Sequence, residues 1–198
     1  MSLLHYLEHH FLTEAQLLAA AGIGAGQLHA LQAAGVMPQA SYRLRLNIDC
    51  DSFIFGPHHE EHEQRYYAKG SSSWLGSLLL LKPEDAYGFF CRRYLARLQE
   101  LGGGTEPDLA AEWGHFLSGT YGLCTRSGLP EDIAAKELAI VRIQRLSDAP
   151  DPLTLEQRAR LAEAVALLDE ASSPFAPHER QRSSRHRYVN QMRMRYGL

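Results

Sequence analysis

The sequence predicts a mainly α-helical protein with an amino-terminal helix-turn-helix-like unit, a short β segment and a carboxyl-terminal helical bundle. Apolar residues recur at helical spacing near the amino end, alternate with polar residues from Tyr42 to Ile48, and return to helical spacing after Pro83. With 198 residues, of which 45 % are apolar, the chain can form a real core. We therefore expect a single domain over residues 1–198, with subregions 1–40, 41–82 and 83–198.

Two or three short helices are predicted in the first subregion. Thr13 and Gln16 have the spacing of a capping box, and Gly22 ends the helix that follows. The second helix is expected from Ala25 to Ala34. The spacing of small and apolar residues resembles the helix-turn-helix of MerR-type regulators. The residues that carry this resemblance are Leu17 to Ile23, Leu28, Leu31, Gly35, Val36 and Pro38.

This unit lacks the charge that DNA binding requires. Its second helix offers Gln27, His29 and Gln32, and no Lys or Arg occurs before Arg43. Because cationic side chains supply most of the affinity for the phosphate backbone, the segment argues against DNA binding. We favour a helix-turn-helix-like unit that packs into the core or docks a protein partner.

A polar cluster rich in histidine follows the predicted strand. If this stretch were helical, His58 and His62 would share one face and could bind a divalent metal, with Asp51 as a third ligand. Cys50 and Glu61 are alternatives to Asp51 as the third metal ligand. The spacing is not that of an HExxH motif. We favour a solvated, charged segment over a metal site.

Other polar groups fall in the predicted bundle. Glu112, His115, Tyr121 and Cys124 lie on one helix expected from about residue 107 to 124. Nine residues separate His115 from Cys124, which places them about 13 Å apart along a helix axis. A direct Cys–His nucleophile pair is therefore not expected, and packing in the core is the favoured interpretation.

The carboxyl end holds the densest basic region of the chain, and it contains arginine without lysine. Its members are His178, Arg180, Arg182, Arg185, His186, Arg187, Arg193 and Arg195. Arginine favours bidentate contacts with phosphate or carboxylate, so this region fits a phosphorylated carrier or cofactor. Ion pairs with acidic helices of the same fold are the alternative that we favour.

Short motifs along most of the chain carry a second resemblance. They are Ser41-Tyr42, Tyr66-Tyr67 with Trp74, Tyr121 to Cys124, Pro130-Glu131, Lys136-Glu137, Ser173 to Arg180 and Ser183 to Arg185. With these motifs the chain resembles a bacterial family of unknown function labelled natural product biosynthesis protein. The resemblance implies no defined reaction, but it points to Arg180, Ser183, Ser184 and Arg185 as a functional surface.

Composition sets limits on location and partners. The formal charge of −3 argues against coating nucleic acid or an anionic membrane. No secretory pattern begins the chain, and the apolar run Trp74 to Leu81 is far shorter than the roughly 20 residues of a membrane span. We expect a cytoplasmic protein whose partners are a small molecule or another protein.

Three functional hypotheses follow. The first is an accessory or small-molecule-binding protein of bacterial secondary metabolism, with a pocket formed by Tyr66, Tyr67, Trp74 and the segment Arg180 to Arg185. The second is a degenerate helix-turn-helix regulator or protein-interaction module. The third is a metal-dependent enzyme that uses His58 and His62.

Overall fold

The computed structural model describes residues 2–104, 106–148 and 152–198, and helices dominate it. The amino-terminal part contains α1 (Leu3–His10), β1 (Phe11–Thr13), α2 (Glu14–Ala21), α3 (Ala25–Ala33), β2 (Tyr42–Ser52), β3 (Gly56–Ala68) and α4 (Ser71–Leu78). The three strands form one antiparallel sheet in the order β1-β3-β2. The mainly α prediction is therefore confirmed, with a larger β segment than expected.

The remaining helices form the carboxyl-terminal part. They are α5 (Ala86–Glu100), α6 (Leu109–Leu117), α7 (Thr120–Cys124), α8 (Pro130–Ser147), α9 (Leu155–Ala171) and α10 (Gln191–Tyr196), with a π-helical turn at His186–Asn190 and 3₁₀ turns at Pro83–Asp85 and Arg180–Arg182. The helix expected over residues 107–124 is broken at Gly119, whose φ of 81° is left-handed. None of the described helices is long and apolar enough to span a membrane.

Local signals fix several helix ends. The Thr13 hydroxyl accepts from the Gln16 amide while the Gln16 side chain accepts from the Thr13 amide, which confirms the predicted capping box. Thr154 and Gln157 form a second capping box at α9. Gly22 ends α2 in the left-handed conformation that glycine adopts without strain.

The condition on which the metal hypothesis depends is not met. Residues 58–63 are not helical but lie in β3, and Phe53 to Phe55 form the tip of the β2–β3 hairpin. Both faces of the outer hairpin are exposed, so polar residues occupy successive positions and the alternation that marks a half-buried strand is lost.

The largest part of the core joins the amino-terminal part to the first helices of the carboxyl-terminal part. Leu17 and Leu28 of the amino-terminal unit pack in the same cluster as Trp74, Phe90 and Ile133. Smaller clusters lie between α8, α9 and the carboxyl end, and between α1, β1 and β3. The helical part is thus packed directly on the amino-terminal unit.

The two parts approach each other closely at Gly122 in α7. A Cβ atom at this position would lie 2.2 Å from Ser41 Oγ and 3.0 Å from Ala68 Cβ. Ser41 Oγ cannot rotate away without cost, because it donates to the Gly119 carbonyl oxygen at 3.1 Å. α7 therefore lies against the sheet only because residue 122 has no side chain.

We expect Gly122→Ala to lower the free energy of unfolding by about 1–3 kcal/mol, since the new methyl group has no space. Gly114→Ala in α6 is the matched control. Nothing lies within 4 Å of its Cβ position, so that change should stabilise the protein by up to about 1 kcal/mol. Urea denaturation of both variants measures the difference. Equal effects of the two substitutions would contradict the close packing at Gly122.

Candidate functional site

The aromatic residues of the predicted ligand site lie in the core. Trp74 is fully buried, and its indole N–H donates to the Val36 carbonyl oxygen at 2.9 Å. Tyr66 and Tyr67 are 2 % and 1 % exposed, in two different core clusters. These three side chains therefore do not form a pocket with the carboxyl-terminal arginines, and this part of the ligand-site prediction is wrong.

The residues of the metal hypothesis are spread along the hairpin. His58 and His62 lie on the same face of β3, but four strand positions separate them by about 13 Å. Asp51 is opposite Pro57 and so lies on the other face of the hairpin. Among the described residues, no group of three His, Cys, Asp or Glu side chains is placed to hold a metal ion. The helical premise of that hypothesis does not hold.

The segment Arg180 to Arg185 has structural contacts of its own. Ser183 is buried, and its hydroxyl donates to the Arg180 carbonyl oxygen and accepts from the His186 amide. Arg180 Nε donates to the carbonyl oxygen of Phe175, which has a strained φ of 57°. Ser184 is half-buried. Of the predicted group, Arg185 alone lines a large cleft.

This cleft, of about 380 Å³, lies where the end of α1, the end of α7 and the end of α9 meet. Polar side chains provide most of its wall. The lining residues are His10, Phe11, Gly122, Thr125, Arg126, Asp169, Glu170, Ser172, Ser173, Pro174 and Arg185. They come from four separate stretches of sequence, which only the folded chain brings together.

Backbone hydrogen bonds make the floor of the cleft rigid. Thr125 and Ser172 form an isolated antiparallel bridge, and the Arg126 amide donates to the Ala171 carbonyl oxygen at 2.8 Å. The Ser173 hydroxyl donates to the Leu123 carbonyl oxygen at 2.6 Å. Because these contacts join α7 to the end of α9, the side chain of Arg126 starts from a fixed backbone position.

The two arginines of the cleft differ in their partners. Arg185 forms an ion pair with Asp169, and it also donates to the Asp169 carbonyl oxygen and the Ser172 hydroxyl. Arg193 Nη2 also donates to Asp169 Oδ2, at 2.8 Å, so two arginines compensate the charge of Asp169. Arg126 is exposed, and within the described ranges its guanidinium has no carboxylate partner. Arg126 therefore brings an uncompensated charge to the cleft.

Further cations surround the cleft near His10. Burial lowers the pKa of the His10 imidazole, and the charges of Lys69 and Arg180 lower it further. Burial accounts for the largest part of this shift in pKa, and the rest comes from nearby positive charges, which oppose protonation of the imidazole. The field at this end of the cleft favours an anion.

Sequence reasoning missed Arg126 and His10. Arg126 is a single basic residue after α7, outside the arginine-rich carboxyl end, and His10 lies among other histidines of α1. The one usable signal was the motif Tyr121 to Cys124 directly before Arg126. No local spacing indicates that residues 10, 126 and 185 meet in space.

The carboxyl-terminal part defines the family of the protein. A family of unknown function, DUF6058, matches residues 86–197, more than half of the chain, and the protein belongs to this family. No curated protein and no solved structure matches the chain. The matched range includes Arg126, Asp169 and Arg185 but excludes His10. The family description names no activity, so the natural product and MerR-type resemblances stay predictions.

We expect Asp169→Asn to lower the free energy of unfolding by about 1–3 kcal/mol, because it leaves two arginines without their counter-charge. Glu163→Gln on the same helix is the control. Glu163 is exposed and has no ion pair in the described parts of the chain, so its effect should stay within about 0.5 kcal/mol. Thermal and urea denaturation measure both. A loss for Asp169→Asn no larger than that of the control would contradict the pairing.

Proposed function

We propose that the protein binds a small molecule that carries a phosphate or carboxylate group in the cleft between α1, α7 and α9. The uncompensated guanidinium of Arg126 in this cleft is the observation that supports the proposal. A volume of about 380 Å³ falls within the roughly 300–1,000 Å³ of small-molecule sites. The planar fork of arginine donors matches both anionic groups, since each presents two acceptor oxygens.

Other groups of the cleft add specificity. Glu170 is exposed at the wall and is available to accept a hydrogen bond from the ligand. Asp169 is already occupied by two arginines, so it orients Arg185 instead of repelling an anion. The ligand that fits is therefore anionic at one end and has a hydrogen-bond donor at the other. A role in bacterial secondary metabolism, which the resemblance implied, stays a prediction.

We expect pyrophosphate to bind the full-length protein, and Arg126→Gln to weaken that binding by about tenfold or more. Arg126 contacts the fold through its backbone, so the substitution should leave the melting temperature unchanged. Arg145→Gln, which removes an exposed arginine of α8 outside the cleft, should bind as the unmodified protein does. Isothermal titration calorimetry measures all three.

The same titration with malonate separates the two ligand classes. Tighter binding of pyrophosphate indicates a phosphate site, and tighter binding of malonate indicates a carboxylate site. The proposal fails if neither anion binds, or if Arg126→Gln and Arg145→Gln weaken binding equally, because the affinity would then reflect overall charge.

A second candidate function concerns the amino-terminal unit, which we propose docks a protein and not DNA. The order helix, strand, two helices and hairpin is the one that a winged helix-turn-helix requires, with β2 and β3 as the wing. Phe53, Ile54 and Phe55 at the hairpin tip are almost fully exposed. Exposed apolar groups of this kind mark surfaces that contact another molecule.

The charges around this unit oppose DNA. The outer hairpin carries its acidic side chains, Asp49, Asp51, Glu60, Glu61 and Glu63, without any Lys or Arg between Leu46 and Gln64. Arg43 and Arg45 at its base both lie within 4.0 Å of Glu63. The outward face of α3 is uncharged apart from His29, which lies near Glu14. The unit therefore lacks free cations for phosphate contacts.

We expect no binding to a mixed-sequence DNA duplex tighter than about 10 µM at about 50 mM salt, because no counterions would be released. Fluorescence anisotropy of a labelled duplex provides the measurement. Binding that is tight and weakens steeply with added salt would contradict this second proposal. It would leave the anion cleft unaffected.

A further inference from the structure

A second cleft, of about 220 Å³, lies between α5, α6 and α8 and shares no lining residue with the anion cleft. Its wall combines three carboxyl groups with apolar side chains. The lining residues are Tyr94, Leu98, Glu106, Pro107, Glu112, Glu137, Leu138 and Val141. The matched family range contains all of them.

A tyrosine and a lysine hold the two inner carboxyl groups in place. The Tyr121 hydroxyl donates to Glu112 Oε2 and lies 3.4 Å from Glu137 Oε1. Lys136 Nζ donates to Glu137 Oε1 at 2.6 Å, and the side chain of Lys136 is only 9 % exposed. Because Tyr121 of α7 is buried and its hydroxyl contacts Glu112 of α6 and Glu137 of α8, it fixes both carboxyl groups relative to each other.

The cleft has an excess of acidic groups. Glu106, Glu112 and Glu137 line it, while Lys136 is the one ammonium group that pairs with any of these carboxyl groups in the described parts of the chain. Burial raises the pKa of Glu112, and the nearby charge of Glu137 raises it further. Two carboxyl groups that oppose each other's ionisation would both be stabilised by a cation placed between them.

Tyr94 provides an independent sign of a ligand. Tyr94 is only 2 % exposed. It lines the cleft, and its ring packs near the ring of Phe90. Burial, followed by the charges of Glu112 and Glu137, raises the pKa of its hydroxyl. That hydroxyl has no hydrogen-bond partner within residues 2–104, 106–148 and 152–198. Because this residue lines the cleft, a ligand there can supply the hydrogen-bond partner that the protein does not.

We propose that this cleft binds a small primary ammonium ligand, held by the carboxyl groups of Glu112 and Glu137 and by the oxygen of the Tyr94 hydroxyl. An ammonium group has three N–H donors, one for each of these acceptors. Its hydrocarbon part would lie against Leu98, Leu138 and Val141. The volume is below the roughly 300 Å³ of typical ligand sites, so the ligand is a short amine.

The two clefts favour ligands of opposite charge, so this inference does not depend on the proposed function. The arginines of the first cleft select an anion, and the glutamates of the second select a cation. Ligand binding can therefore be absent at one cleft and still be observed at the other.

The probe is n-butylammonium chloride, titrated into the full-length protein by calorimetry at constant ionic strength, with n-butanol and butyrate as ligand controls. We expect saturable binding of the amine and none of the two controls. Glu112→Gln should weaken binding by about tenfold or more, because it keeps the shape of the side chain and removes its charge. Glu163→Gln, which removes an exposed charge elsewhere, is the matched control and should have no effect.

Tyr94→Phe is the second variant, with Tyr87→Phe on the same helix as its control. Since the Tyr94 hydroxyl has no protein partner, its removal should leave the melting temperature unchanged and still weaken amine binding about fivefold or more. Arg126→Gln should bind the amine normally, and Glu112→Gln should bind pyrophosphate normally. Absence of saturable amine binding, or unchanged affinity in both Glu112→Gln and Tyr94→Phe, would overturn the proposal.

Discussion

The close contact between α7 and the amino-terminal sheet is the constraint on which the rest of the structure depends. This helix has only five residues, and Gly122 allows it to lie against Ser41 and Ala68. On one side of the helix, Tyr121 reaches the glutamates; after its end, Thr125 and Arg126 join the end of α9. A single short helix therefore contributes to the walls or supports of both clefts.

The two clefts are lined by groups that favour ligands of opposite charge. Arginines and the positive charges around His10 favour an anion at one end of α7, while half-buried carboxyl groups favour a cation at the other. A protein with a formal charge of only −3 thus contains strong local fields of both signs. Overall charge describes neither site, because fields within a cleft depend on the few groups that line it.

Local features of the structure followed from the sequence, whereas the clefts did not. The Thr13 capping box, the left-handed Gly22 and the helices after Pro83 depend on residues within a few positions of each other. The long strand β3 was missed because its outer half is solvated on both faces and so lacks an apolar alternation. Arg185 was identified from its arginine-rich segment, but its partnership with His10 and Arg126 depends on contacts between distant residues, which one sequence does not reveal.

The most direct test of the account is a backbone NMR titration of the same full-length sample, first with pyrophosphate and then with n-butylammonium. We predict that pyrophosphate shifts the amide signals around Arg126 and Ser173, and that the amine shifts a different set around Glu112 and Glu137. Shifts confined to the exposed arginines near Arg193 and Arg195, or one common set for both ligands, would contradict the claim that α7 separates two sites of opposite charge.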